Sequence, residues 1–249
     1  MVVVSALTIA GCTMSPVDPA AVAKFKTLAV TRVELPEYSY IGLDGEAAAK
    51  SVGVVAGYYA FGVFGLAVGD VMRAKSEQPY RDAIRDALGA YQPNFERTIN
   101  QQVQAGLKAR GASVTFMAPP PRLSDNSGYD YGNAGTDADA VLEIFPLQVG
   151  FSYQNGEAAP MIDIRWRLLA RYPNGKLIET NRGSVVHRNT KAVLGQIGDA
   201  IPANSAYQFK GHVSELKSHG DKPHLAMQEL ATRTASMIVE RAYPVVATK

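Results

Sequence analysis

The side chains best suited to chemistry lie close together near the C-terminal end of the chain. His219, Asp221 and His224 fall within six residues, and imidazole and carboxylate groups at this spacing can converge on a loop to ligate a metal ion. No pattern for a fourth ligand accompanies them, and His187 and His212 stand apart. We therefore expect solvated loop histidines before a helix, and no metal site.

Other catalytic signatures are missing from the sequence. Asp137 and Asp139 form an Asp-x-Asp pair, but no glycine or distal glutamate follows at calcium-loop spacing, so the pair indicates a turn and a strand entry. HExxH, GxSxG, GxxxxGK and GxGxxG do not occur, which removes the usual anchors of metalloproteases, α/β-hydrolases and nucleotide-binding proteins. We expect no enzymatic activity. The alternative is a cell-envelope enzyme whose acidic and histidine side chains converge from distant segments.

Composition and charge limit the class of protein further. The chain has 249 residues, of which 47% are hydrophobic and 19% charged, enough for a large buried core. Its net charge is +2, and like charges are not gathered into blocks. These values argue against a nucleic-acid partner.

The single cysteine stands at position 12, directly behind an uncharged apolar run over residues 1–11. One cysteine excludes an intramolecular disulfide, a CxxC redox pair and a cysteine-rich zinc site. The chain turns polar and proline-bearing at residues 13–16. An apolar run that ends in small residues before such a change is typical of an export signal with its cleavage site.

Residues Ile9, Ala10, Gly11 and Cys12 resemble the lipobox of bacterial lipoproteins. The resemblance implies cleavage before Cys12, a diacylglycerol thioether on its sulfur and a third acyl chain, such as palmitate, on its amine; we expect no other cofactor. Three acyl chains anchor a protein far more firmly than one. Thr13 replaces the aspartate typical of lipoproteins kept in the inner membrane, which implies the periplasmic face of the outer membrane and makes its lipid a partner.

Two further points bear on this N-terminal segment. Lys and Arg are absent before the apolar run, whereas export signals have a positive beginning, so we expect the true start upstream of Met1. The alternative to the lipobox is an ordinary buried cysteine near the N-terminus.

A second apolar segment, residues 51–69, has nineteen uncharged residues, the length at which a membrane-spanning helix becomes a candidate. Five glycines interrupt it, and two pairs of them are spaced four apart, as in helices that approach each other closely. Three alternatives stay open: a Gly-rich helix or hairpin packed within the protein or its oligomer, an element in or on the outer membrane, and a mobile loop. If the segment lines a cavity, the protein is instead a carrier of an apolar ligand.

Periodicity predicts the elements that surround these segments. Residues 27–35 alternate as a strand, residues 77–90 have the spacing of a short amphipathic helix that Pro93 interrupts, and residues 112–117 read as a second strand. Between residues 90 and 112, apolar residues recur every four positions. This spacing predicts a helix with Asn94 as its N-cap and Gly111 past its end. Residues 225–243 are predicted to form a closing amphipathic helix.

Residues 118–136 combine a proline run with Gly, Asn, Ser and Asp, which predicts a surface loop that cannot pack a core. Tyr129 and Tyr131 on this loop are candidate contacts for a protein partner. The alternative is two tyrosines on a mobile loop without a binding role.

Residues 138–188 predict an antiparallel meander of three strands joined by turns at 154–156 and 173–175. The middle strand alternates, with an apolar face that contains Ile164 and Trp166. Its other face carries Arg165, Arg167 and Arg171, which we expect to be solvated rather than an anion site.

Together these elements predict an α/β (α+β) fold with helices packed on a mixed sheet. The chain resembles a group of outer-membrane lipoproteins that includes the curli secretion channel and the activators of penicillin-binding proteins, through Leu107 to Val114, Gly135 to Asp139 and Arg167 to Lys176. This group works by assembly and contact. The implied organisation is a signal peptide (1–11), a tether (12–26) and one periplasmic domain (27–249) that acts in an envelope complex, with a protein partner or with copies of itself.

Overall fold

The computed structural model describes residues 19–42, 78–124, 128–132, 136–154, 156–172, 174–187, 199–201 and 204–244. The predicted signal peptide, the lipobox with Cys12, and the Gly-rich segment 51–69 lie outside the described residues. Within the described part of the chain, no helix is both long and apolar enough to cross a membrane.

The fold is mixed α/β, as predicted. The strands are β1 (Thr27–Thr31), β2 (Ser39–Gly42), β3 (Ser113–Met117), β4 (Ala140–Gln154), β5 (Glu157–Arg171), β6 (Leu177–His187), β7 (Asp199–Ile201) and β8 (Phe209–Lys210). The α-helices are α1 (Pro19–Val22), α2 (78–88), α3 (Gln92–Ala109) and α4 (Lys222–Ala242). Short 3-10 turns occupy Gly89–Tyr91, Ser205–Tyr207 and Val213–His219.

All eight described strands belong to one sheet, whose main order is β3-β1-β4-β5-β6-β7. The predicted meander is confirmed, because β4, β5 and β6 pair in sequence and antiparallel. β1 lies parallel to both β3 and β4, while β2 and β8 extend the sheet beside the far ends of β4 and β5. A register shift follows Pro146 in β4, where a residue without an N–H cannot continue the ladder.

The helices cover one face of the sheet, and the main core lies between the helices and that face. The α3 residues Phe95, Ile99, Val103 and Leu107 are all fully buried, as their four-residue spacing predicts. From the sheet, Ile162, Ile164, Trp166 and Leu168 face the same core. We call this side the helix-covered face.

Helices α3 and α4 pack closely against each other on this face. A Cβ added at Gly106 would lie 3.0 Å from a Val239 methyl group, so the glycine lets the two helices approach. The Arg110 side chain donates hydrogen bonds to the carbonyl oxygens of Val239 and Tyr243 at the end of α4. The Tyr243 hydroxyl donates to Phe25 O at 2.7 Å and joins the same end to the segment that precedes β1.

The predicted strand 27–35 is too long, since β1 ends at Thr31. The reason is that side chains of α3 replace the next strand partner. Asn100 Oδ1 accepts from Val33 N at 2.9 Å, and its amide nitrogen donates to Val33 O at 3.2 Å. One turn earlier in α3, a Glu96 carboxylate oxygen accepts from the N–H of Leu35. One further turn earlier, the Gln92 amide nitrogen donates to the Leu35 carbonyl.

The start of α3 also differs from the prediction. The helix begins at Gln92, Asn94 is not its N-cap, and Pro93 lies in the first turn. Proline is compatible with that position because the first turn leaves its N–H groups without an internal partner. Gly111 follows the helix with a φ of +86°, as predicted.

The predicted tether 12–26 extends too far into the domain. Residues 19–22 form α1, and Val22 is buried in the main core. Phe25 packs against the same core. Val22 and Phe25, which the prediction places in the tether, therefore belong to the domain.

Candidate functional site

Within the described ranges, the second face of the sheet is covered by a loop and not by helices. We call residues 118–124, 128–132 and 136–138 the covering loop, and this side of the sheet the loop-covered face. A small apolar cluster lies beneath the loop, formed by Ala29, Val141 and Leu169, with Met117, Tyr131, Ala138 and Leu177 packed around it. The prediction of a loop that cannot pack a core is therefore wrong.

A buried ion pair lies under the same loop. Glu143 of β4 stands directly opposite Arg167 of β5 in the ladder and is 1% exposed. Arg167 Nε donates to Glu143 Oε1 at 2.6 Å, and a terminal nitrogen of Arg167 donates to Oε2 at 2.7 Å. This bidentate geometry is the strongest pairing that a guanidinium and a carboxylate can make.

The covering loop closes the site from above. The Tyr129 backbone N–H donates to Glu143 Oε2 at 3.0 Å, and Arg167 reaches the Tyr129 carbonyl at 3.4 Å. A Cβ at Gly128 would lie 2.3 Å from a nitrogen of Arg167, so only glycine leaves room for the guanidinium there. A second carboxylate lies near the guanidinium, because Glu179 Oε2 of β6 is 3.7 Å from Arg167 Nη1.

Tyr129 and Tyr131, the candidate contacts for a protein partner, turn toward the sheet beneath the covering loop, and a partner contact through them stays a prediction. Tyr129 is 5% exposed, and its ring meets Phe145 edge-on at 5.0 Å. Tyr131 is partly buried beside the apolar cluster. Burial raises the pKa of both phenols, and the negative charge of Glu143 raises them further, so both hydroxyls stay protonated at neutral pH.

The hydrogen bonds among Glu143, Arg167 and the Tyr129 backbone hold the covering loop against the sheet. Both Glu143 oxygens already accept hydrogen bonds from Arg167, and one also accepts from Tyr129. A carboxylate that works as a general base must instead reach a proton of the substrate. Pairing with Glu143 raises the pKa of Arg167, which keeps the guanidinium charged. We call Glu143, Arg167 and the Tyr129 backbone the loop latch.

The prediction that Arg165, Arg167 and Arg171 form a solvated face is wrong for two of the three residues. Arg165 is exposed, but only 19% of the Arg167 side chain is, and Arg171 Nε donates to the carbonyl of Ala138 in the covering loop. The sequence held one signal for the latch. Glu143 is the lone charge within the apolar run AVLEIF, and a charge at such a position requires a partner when the strand is buried on both faces.

Asp139 confirms the expected strand entry. Its Oδ2 accepts from the backbone N–H groups of Lys26 and Thr27, each at 2.8 Å, and its own N–H donates to Thr27. The amide donors lower the pKa of this carboxyl. Asp139 therefore joins the start of β4 to the start of β1.

The three histidines near the C-terminal helix pack against separate aromatic rings. His224 stacks on Tyr91 at 4.0 Å, and the His219 ring lies 5.2 Å from that of Phe209. His212 has Tyr40, Tyr80 and Tyr153 around it, with the nearest centroid at 4.6 Å. Among the described residues, no group of three or more His, Cys, Asp or Glu side chains is arranged to hold a metal ion.

Comparison with known proteins adds no assignment. The chain matches no protein-family model, and searches of curated proteins and of solved structures returned no significant match.

Proposed function

We propose that this protein is a lipid-anchored component of the bacterial outer membrane that faces the periplasm and acts by assembly rather than by catalysis. The observation that carries the proposal is the sequence Ile9-Ala10-Gly11-Cys12 at the end of an uncharged apolar run. In this proposal the chain is cleaved before Cys12, and the new N-terminal cysteine carries diacylglycerol and an acyl chain. The remainder of the chain is then displayed at the membrane surface.

The use of polar side chains in the described domain supports an assembly role. Glu143 and Arg167 hold the covering loop, Asp139 joins two strand starts, and Asn100 holds the segment after β1. Each of these groups makes hydrogen bonds to another part of the chain. This use is typical of a domain that presents a fixed surface.

The anchor is tested by fractionation of a Gram-negative host that expresses the full chain. We expect the protein in the outer-membrane fraction, and we expect Cys12→Ser to abolish membrane sedimentation. Thr13→Asp is the matched control, because it leaves the cysteine in place and should redirect the protein to the inner membrane. Unchanged sedimentation of Cys12→Ser would contradict the proposal.

The assembly role requires a separate measurement. Chemical cross-linking in intact cells should trap a discrete oligomer or one defined partner, in amounts that fall when Cys12→Ser releases the chain from the membrane. A protein that remains monomeric and yields no cross-linked partner would contradict an assembly role, even if the lipid anchor is verified.

A further inference from the structure

Strand β3 forms one edge of the sheet, and β1 is its only partner among the described strands. The two strands are parallel, with Thr27 opposite Ser113 and Thr31 opposite Met117. Ser113 N donates to Lys26 O at 2.7 Å, and Met117 O accepts from Arg32 N at 2.8 Å.

These bonds fix which backbone groups point away from the sheet. Successive residues of a strand direct their N–H and C=O groups to opposite sides. Since Ser113 and Met117 bond toward β1, Thr115 does so as well, and Val114 and Phe116 direct theirs outward. The free edge therefore offers two donors and two acceptors, separated by the single residue Thr115.

Among the residues that the structure describes, this edge has none of the usual protection against pairing. Natural sheets block exposed edges with charged side chains, proline or a bulge. β3 has the sequence SVTFM, without charge or proline, and its register with β1 is continuous. The opposite edge of the sheet is protected. There β6 carries the ion pair of Glu179 and Arg182 and a register shift, and β7 pairs with part of β6.

The pattern on β3 is self-complementary. In an antiparallel pair of two β3 strands with a twofold axis at Thr115, Val114 of one copy stands opposite Phe116 of the other. Each such pair exchanges two hydrogen bonds, so all four outward donors and acceptors of each copy are satisfied. The two Thr115 side chains then meet at the axis, and threonine pairs are favourable at such positions. A closed twofold contact of this kind is the commonest form of homo-oligomer.

We propose that β3 pairs edge to edge with β3 of a second copy of this chain, an inference that rests on the assembly role proposed above and names its partner. The paired sheets form one continuous sheet across the two copies. Four hydrogen bonds make a small contact by themselves, but anchoring both copies to the same membrane raises their effective concentration. Dimerisation is therefore expected to depend on the membrane anchor.

The test introduces a cysteine at the proposed axis in the full chain, within the envelope of a Gram-negative host. In the paired strands, the two Thr115 Cα atoms lie about 4.5 Å apart, which suits a disulfide. Thr115→Cys should therefore give an oxidised dimer on a non-reducing gel. Ser113→Cys is the matched control, because this residue is also exposed and lies on the same strand, but its two copies would be about 13 Å apart. The parent chain, which has Cys12 alone, reports the background.

A second variant tests the contact without relying on oxidation. Thr115→Lys places two like charges at the axis and leaves the core untouched, since Thr115 is exposed. Its chemically cross-linked dimer should fall at least tenfold relative to the parent chain. Equal oxidation of Thr115→Cys and Ser113→Cys, oxidation of neither, or a disulfide from Thr115→Cys to a different protein would each overturn the proposal.

The same samples distinguish failure of this inference from failure of the proposed function. An outer-membrane protein without the Thr115 dimer overturns edge pairing and leaves the anchor intact. A Thr115 dimer in a chain that does not sediment with membranes overturns the anchor and supports the edge contact.

Discussion

The two faces of the sheet are stabilised in different ways. The helix-covered face buries large apolar side chains from α3 and α4 at regular spacing, among them Phe95 and Leu107. The loop-covered face has a smaller buried apolar cluster of Ala29, Val141 and Leu169, and its loop is held by the packing of Tyr129 on Phe145 together with a few polar contacts around Glu143. The first face therefore sets global stability, whereas the second can open locally when a single polar contact is lost.

The largest expected effect is on the helix-covered face. Phe95 is fully buried, and Phe95→Ala removes its ring from the main core. Such a change costs about 3 to 5 kcal/mol in the free energy of unfolding. Urea denaturation should show a lower midpoint for the whole domain. Arg97→Ala, on the exposed side of the same helix, is the control and should change stability by less than about 0.5 kcal/mol.

The second prediction concerns the loop latch. We expect a loss of unfolding free energy that is no larger than that of Phe95→Ala and that is concentrated in the covering loop. Arg167→Met leaves Glu143 charged and buried without its partner, which costs about 3 to 5 kcal/mol. The double variant Glu143→Leu with Arg167→Met removes both charges and should recover most of this loss.

Amide hydrogen exchange separates the latch from the core. In Arg167→Met, exchange should rise first in the covering loop while α3 remains protected. Arg182→Ala breaks an ion pair whose arginine is exposed, and serves as the control that should affect exchange little. Equal acceleration in the loop and in α3 would argue against local opening of the loop-covered face.

A third effect concerns the packing of β6 against the helix-covered face. A Cβ at Gly183 would lie 2.4 Å from Trp166 Cε2, so Gly183→Ala must move the indole. We expect a loss of about 1 to 3 kcal/mol, typical of overpacking. Trp166 is the only tryptophan, so its fluorescence reports the displacement directly. Gly89→Ala, whose added carbon would make only an ordinary contact of 3.4 Å with Arg85, should leave the emission unchanged.

The smallest effect is the pH dependence at Asp139. Folding lowers the pKa of this carboxyl because the backbone amides of Thr27 and Lys26 donate to it. Its contribution to stability is therefore complete above the unfolded pKa of about 3.9 and is lost as the pH falls through the lower folded value.

Asp139→Asn tests that contribution. The stability difference between the parent chain and this variant should shrink as the pH falls from 6 toward 3 in denaturation experiments. Asp137→Asn removes the same charge two residues away and controls for net charge. A difference that stays constant with pH would contradict the role of the Asp139 hydrogen bonds.

The sequence predicts the helix-covered face well and the loop-covered face poorly. Periodic apolar positions identify α3 and the inward side of β5, and the turns with positive φ at Gly156 and Gly175 identify the meander. These features are local, because each depends on residues within a few positions of one another. The mixed α/β class follows from the order of such elements.

The errors arise where distant segments replace local partners. Asn100 ends β1 early by bonding Val33 from a helix 67 residues away. Arg167 is largely shielded because a polar loop folds over it, and Tyr129 turns inward with that loop. Composition describes a loop rich in proline and glycine as exposed, but it does not reveal which sheet face the loop covers.

The most direct test of the proposed function is the mass of the mature N-terminus. The full chain is purified from Gram-negative membranes and digested, and its N-terminal peptide is measured by mass spectrometry. We predict a peptide that begins at Cys12 and carries the mass of one diacylglycerol and one further acyl chain. A peptide that contains residues 9–12 in continuous sequence, with an unmodified Cys12 thiol, would contradict the lipid anchor.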